Sequence, residues 1–166
     1  MQRLLDEAAI ARQLHLYTAA QDTLDLTLLR TLCASEIKLN VKGHLYGQPA
    51  TTISPDQLAD TTLQTIGGFT ATQHMLANHI FSWKDDKKVH VTVYVVAYSC
   101  IQDKEGGEVQ SVTARAFWHV DLEKGEKEWL ICGFKLQRDV PLDHPELYAK
   151  ASERFQQGLG RASKGS

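Results

Sequence analysis

The sequence predicts an α+β domain in which a curved antiparallel sheet is wrapped by N-terminal helices around one apolar pocket. Three observations carry this expectation. Apolar residues recur at three- and four-residue steps near the N-terminus, the period changes to two from about residue 70, and polar turns at 84–87, 103–107 and 123–127 divide the later chain into consecutive hairpins. Hairpins require antiparallel pairing, and helices gathered ahead of strands give α+β rather than α/β.

Taken in order, Leu4, Leu5, Ala8, Ala9, Arg12, Leu16 and Ala19 predict a helix over 4–20 with these residues on its inner face. Asp25 is placed as the N-cap of a second helix over 26–33 with Leu28, Leu29 and Leu32 inward. Alternation over 37–41 predicts a short strand. Ser54, Pro55 and Gln57 read as a helix start, with Gly67-Gly68 as its stop. Strands are then expected over 70–83, 89–101, 109–122 and 129–140, the second of these dense in Val, Tyr and Thr. Residues 1–140 make the domain; 141–166 are expected as an extension with a surface helix over 145–157 and a frayed tail.

The 166 residues suit one domain with a core that needs no metal or disulfide, and 43% apolar against 23% charged residues exclude a disordered chain. A net charge of -2 offers nucleic acid no electrostatic footprint. Three cysteines without a CxxC spacing leave at least one unpaired, which suits a reducing compartment. The N-terminal stretch is broken by Asp6, Glu7 and Arg12, so it does not read as a signal peptide, and no apolar run reaches the length of a membrane span. The expected location is the cytoplasm.

Two short segments, Tyr17-Thr18-Ala19-Ala20-Gln21-Asp22-Thr23-Leu24-Asp25 and Thr72-Gln73-His74-Met75-Leu76-Ala77-Asn78, stand ahead of the hairpin sheet. With them the chain resembles the SnoaL-like branch of the NTF2-like superfamily and, among its enzymes, scytalone dehydratase. The resemblance implies a cone-shaped fold over about 5–140, with Asp22 and His74 facing its interior as a carboxylate–imidazole pair. It implies that Asp25 caps a helix and that Tyr17 lines the pocket wall. Two tyrosines that position a water in scytalone dehydratase are replaced by Gln21 and Val41. That enzyme's second histidine falls on Ser99 or Tyr98, and its pocket asparagine near Ala116. Dehydration of scytalone itself is therefore not implied.

A histidine beside a buried carboxylate holds a general acid–base at neutral pH. The pair could remove a proton next to a carbonyl and return it elsewhere, giving dehydration, isomerisation or cyclisation. The expectation is a cofactor-independent lyase or isomerase of secondary metabolism. Its substrate would be a small, largely apolar metabolite bearing a carbonyl or hydroxyl. Asp22 and His74 would act as the pair, while Met75, Asn78, Tyr98 and Phe117 join Tyr17 in shaping the pocket. Arg115 is a candidate anchor for a carboxylate or enolate if its strand face is internal. The alternative is a noncatalytic small-molecule-binding or protein-interaction domain.

His44 falls in a loop, and His79 and His90 are expected to face outward. His74 and His79, five apart, would face opposite sides of a regular strand, and no metal site is expected. No phosphate-loop, hydrolase-elbow or zincin motif occurs. Large residues in both phases of the last three strands predict a homodimer through the outer sheet face.

Overall fold

The structure is a computed structural model and describes residues 1–40 and 51–162. Its elements are α1 (Gln2–Thr23), α2 (Leu26–Thr31), β1 (Cys33–Asn40), β2 (Thr51–Ile53), α3 (Pro55–Ile66), β3 (Ala71–Trp83), β4 (Lys88–Gln102), β5 (Val109–Lys124), β6 (Trp129–Gln137) and α4 (Glu146–Gln156). Val41 and His44 lie outside the described residues. The strands form one sheet in the order β2-β1-β6-β5-β4-β3, with β3 at an edge. β3 to β6 are the expected antiparallel meander. β1, however, pairs parallel with β6, because the helical first third returns it to the far side of the meander.

The helix starts follow local chemistry. Asp25 caps α2 by accepting the Leu28 N–H at 2.9 Å. Ser54 and Gln57 bond each other's backbone amides in a capping box, with Pro55 supplying the fixed φ of a first helical residue. The face that α1 buries differs from the expected one. Leu4 and Leu5 are exposed, and the helix packs through Ile10, Leu14, Tyr17 and Ala20 together with Asp6, Gln13 and Thr18. Apolar periodicity misreads this helix because three of its inward residues are polar, two of them bonded to side chains from the far end of the chain. Asp6 accepts from Lys124 Nζ at 3.0 Å and from the Trp129 indole at 3.2 Å, and Gln13 Nε2 donates to Glu128 at 3.1 Å.

In β4 the odd residues Val89 to Val95 are buried against the helices, while the even residues face outward. In β3 an extra residue between Ala77 and Ile80 makes a bulge in which Asn78 adopts φ 53, a left-handed conformation that Asn tolerates. The bulge reverses the pleat, so His74 and His79 share the inner face; the expectation that they oppose each other assumed a regular strand. His79 stacks on Phe81 and meets His15 edge-on at 5.4 Å. Burial lowers its pKa, and the His15 charge lowers it further.

α4 forms where expected, and the described chain beyond it, as far as residue 162, returns to the domain. Leu147, Tyr148 and Ala151 join Leu24, Ile66, Phe69, Ile101 and Val112 in a second apolar cluster at one end of the sheet. Arg154 donates to the Gly68 carbonyl and pairs with Asp103, and the Arg161 amide donates to the Gly67 carbonyl at 2.8 Å. Gly68 is the close approach that allows this docking, since a Cβ there would overlap the Ala151 backbone.

Candidate active site

Asp22 sits in the last turn of α1 and His74 on the edge strand β3, and the packing of α1 along that edge brings them together. His74 Nδ1 lies 2.6 Å from Asp22 Oδ1, and the His74 backbone N–H donates to Oδ2 at 2.8 Å. The Thr72 hydroxyl donates to Oδ1 at 3.0 Å. Thr72 and His74 are two apart, so the pleat presents both to the same carboxylate. Their side chains are largely withdrawn from solvent, at 9% exposure for His74 and 20% for Asp22.

Burial alone would raise the Asp22 pKa, but the bonds from the His74 ring and amide, the His74 charge and the Thr72 hydroxyl outweigh it. The carboxyl is held below its ordinary value of 3.8. An ionised carboxylate at 2.6 Å keeps a proton on Nδ1, leaving Nε2 as the proton acceptor of the neutral ring.

His74 opens onto a cavity of about 150 Å³. Tyr17 and Gln21 of α1, Leu58, Thr61, Thr62, Thr65 and Ile66 of α3, Trp118 of β5 and Phe134 of β6 form most of its wall. Val95, Ala97, Ala114 and Ala116 floor it, and Tyr148 of α4 reaches it from the second cluster. The rings of Tyr17, Trp118 and Phe134 pack at 5.0 to 5.9 Å, and the His74 ring lies 5.8 Å from Trp118. Burial drives the Tyr17 pKa upward, helped by Cys33, so the phenol stays neutral. Gln21 Oε1 is buried without a hydrogen-bond partner, leaving one polar acceptor unmet in an apolar wall.

Of the expected residues, Asp22, His74 and Tyr17 meet here; the others do not. Met75 is 53% exposed because it alternates with His74 and faces outward. Tyr98 and Phe117 lie in the outward phases of β4 and β5, where Phe117 packs edge-on against Tyr94 at 4.5 Å. Arg115 pairs with Val96 in that same outer phase and is exposed, so it anchors nothing in this cavity. Asn78 is exposed at the bulge and turns the strand instead of lining the pocket. Ser99, not Tyr98, occupies the inner phase. Ala116 and Gln21 are both at the wall, Ala116 leaving it apolar and open there and Gln21 bringing a polar amide.

Sequence reasoning passed over Thr72, although its period-two relation to His74 was a usable signal. It also missed Trp118 and Tyr148, whose inward position depends on strand phase and on the docking of α4.

None of the three cysteines forms a disulfide. Burial pushes the Cys33 thiol up to about 12, and Cys132 is raised by burial and then by Glu123 and Asp121, so both stay protonated at neutral pH. Among the described residues no group of His, Cys, Asp and Glu is arranged to hold a metal, and no helix is long and apolar enough to cross a membrane.

Among solved structures, a Kribbella flavida protein superposes with a TM-score of 0.80 at 17% identity, covering 89% of this chain and 99% of its own. A scytalone-dehydratase-like protein of Novosphingobium aromaticivorans gives 0.69 at 17% identity, over 83% and 87% of the two chains. Hexachlorocyclohexane dehydrochlorinase LinA-type3 of Novosphingobium barchaimii gives 0.68 at 17%, over 83% and 89%. Identities this low establish a common fold only. No curated protein matches the sequence. The model of the SnoaL-like domain matches residues 2–135, nearly the whole helix-wrapped sheet and the Asp22–His74 pair with it, so the chain belongs to the SnoaL-like family of the NTF2-like fold.

Proposed function

We propose that this protein is a cofactor-independent acid–base enzyme in which His74 moves the proton and Asp22 orients and charges the imidazole. The single observation that carries the reading is the 2.6 Å Nδ1–carboxylate contact at the wall of an apolar cavity. Such a wall excludes competing water from the proton transfer. Nε2 takes a proton from the carbon beside a carbonyl, and the electron pair of the broken C–H bond enters the enolate. In a dehydration the pair then forms the C=C bond as the β C–O bond breaks, and His74 returns its proton to the departing hydroxide as water. Returning that proton to carbon instead gives an isomerase, and attack of the enolate carbon on an internal carbonyl, whose oxygen takes the proton back from His74, gives a cyclase.

Names of fold neighbours record a dehydratase-like protein and a dehydrochlorinase, which fits an elimination. A small, largely apolar substrate fits, since among the described residues no Lys, Arg, Asp or Glu lines the cavity. A hydroxyl on it would supply the donor that Gln21 Oε1 lacks. Free cysteines fit a reducing compartment such as the cytoplasm.

Asp22→Asn tests the pair. Turnover per folded molecule should fall by about 10² or more, because an amide stabilises neither the imidazolium nor the correct tautomer. A variant that loses stability but keeps its rate would reduce Asp22 to a helix-end residue. The depressed Asp22 pKa also carries a sign: its contribution to stability is complete above the unfolded value near 3.8 and is lost as pH falls through the lower folded value. Asp22→Asn should abolish that part of the acid dependence.

We further propose that the outer sheet face joins two copies. Met75, Ile80, Tyr94 and Tyr98 are exposed there beside Phe117, an apolar surface with nothing of the described chain above it. Light scattering should give twice the chain mass at micromolar concentration, with roughly 800 Å² buried per partner. A monomer would sink this assignment without touching the cavity.

A further inference from the structure

We infer that Arg161, delivered by the segment beyond the matched SnoaL-like residues, is a positioning residue for the Asp22–His74 pair. The match ends at residue 135, and α4 and the chain after it lie outside it. At Gly158, with φ 73, the chain turns back, and the Arg161 amide docks on the Gly67 carbonyl. The half-buried guanidinium then makes three hydrogen bonds. Nη1 donates to the Asp22 backbone carbonyl at 2.7 Å, and Nη2 to the Ile66 carbonyl and the Thr72 hydroxyl, both at 3.2 Å.

The Thr72 contact has a direction. A hydroxyl donates one proton, and Thr72 gives its proton to Asp22 Oδ1, so its lone pair is what receives Arg161. A relay therefore runs from Arg161 through Thr72 and Asp22 to His74 Nδ1. Arg161 secures both ends of the carboxylate's support: the backbone of the residue that bears it and the hydroxyl that orients it. A planar fork with several donors does this where one ammonium reaches a single acceptor. The charged and titratable groups acting on Arg161 are Asp22 from α1 and Cys100 from β4, with His74 behind the carboxylate. Burial lowers the Arg161 pKa and those two groups raise it, and a guanidinium stays charged at neutral pH. The terminal helix packs its apolar side on the second cluster, so the segment that closes that end of the fold also brings in the charge that steadies the pair.

The catalytic consequence rests on the proposed acid–base function, but the contact can be tested without a substrate. His74 is on an edge strand, and its amide donates to Asp22 Oδ2. Hydrogen exchange at that single amide therefore reports whether the carboxylate stays in place. In Arg161→Gln, exchange at His74 should accelerate about tenfold relative to the β4 and β5 amides, the equivalent of one loosened charge-assisted bond. Arg161→Lys should fall between the two. If Arg161→Gln does not fold, Arg161→Lys, which keeps the charge but not the fork, carries the test and should still accelerate exchange at His74 over the parent. Acceleration spread evenly over the sheet, or none at His74, overturns the inference and makes Arg161 a tie for the tail alone. Because exchange needs no turnover, that failure is separable from failure of the acid–base reading, which turnover by a His74→Gln variant decides.

Discussion

Replacing His74 by glutamine should lower turnover by a factor of about 10² to 10⁴ while the chain stays folded, the range expected for loss of a general acid–base. Glutamine is the informative replacement. Its carboxamide nitrogen can still donate to Asp22, so the carboxylate is not left buried without a partner, and the wall near Trp118 keeps much of its filling. What it cannot do is accept a proton at one atom while holding another, which is the property that imidazole adds. The measurement is the rate per folded molecule, with circular dichroism and the melting transition recorded alongside. A folded variant at the parent rate would remove His74 from the chemistry and leave the cavity as a binding site, as expected for a noncatalytic relative.

Phe69→Ala should cost about 3 to 5 kcal/mol, the range for deleting a fully buried aromatic. Phe69 follows the two glycines that end α3, has no exposure, and meets Tyr148 edge-to-face at 5.3 Å. It is the side chain on which α4 rests, so the space left cannot be filled without moving the helix. For a chain of this size the melting temperature should drop by about 10 °C. Tyr148 lines the cavity, so ligand binding should weaken as well, even at temperatures where the sheet remains intact. A loss below about 1 kcal/mol in thermal or urea unfolding would show that α4 is held by its polar contacts and not by this cluster.

Elements whose signals are local were legible from the residues alone. Ser54-Pro55-Asp56-Gln57 specifies a helix start within four residues, and α3 runs from Pro55 to Ile66 as expected. The hairpin turns between the later strands are equally local, and they impose antiparallel pairing whatever surrounds them. Asp22 and His74 were legible through the resemblance that their two segments carry.

Tertiary structure decided everything that depends on which side a residue faces. A strand's phase cannot be told from composition when both phases are apolar, so Tyr98, Phe117 and Arg115 fell on the outside and Val95, Ala97 and Trp118 on the inside only once the helices chose a face. One bulged residue, Asn78, reversed the pleat of β3 and moved His79 inward. The buried face of α1 contains Asp6 and Gln13, which become inward residues only when Lys124, Glu128 and Trp129, more than a hundred residues later, arrive to bond them. Arg161 is the limiting case. Nothing near it in the chain marks it, because its three acceptors come from α1, the end of α3 and β3, and they converge only in the folded molecule.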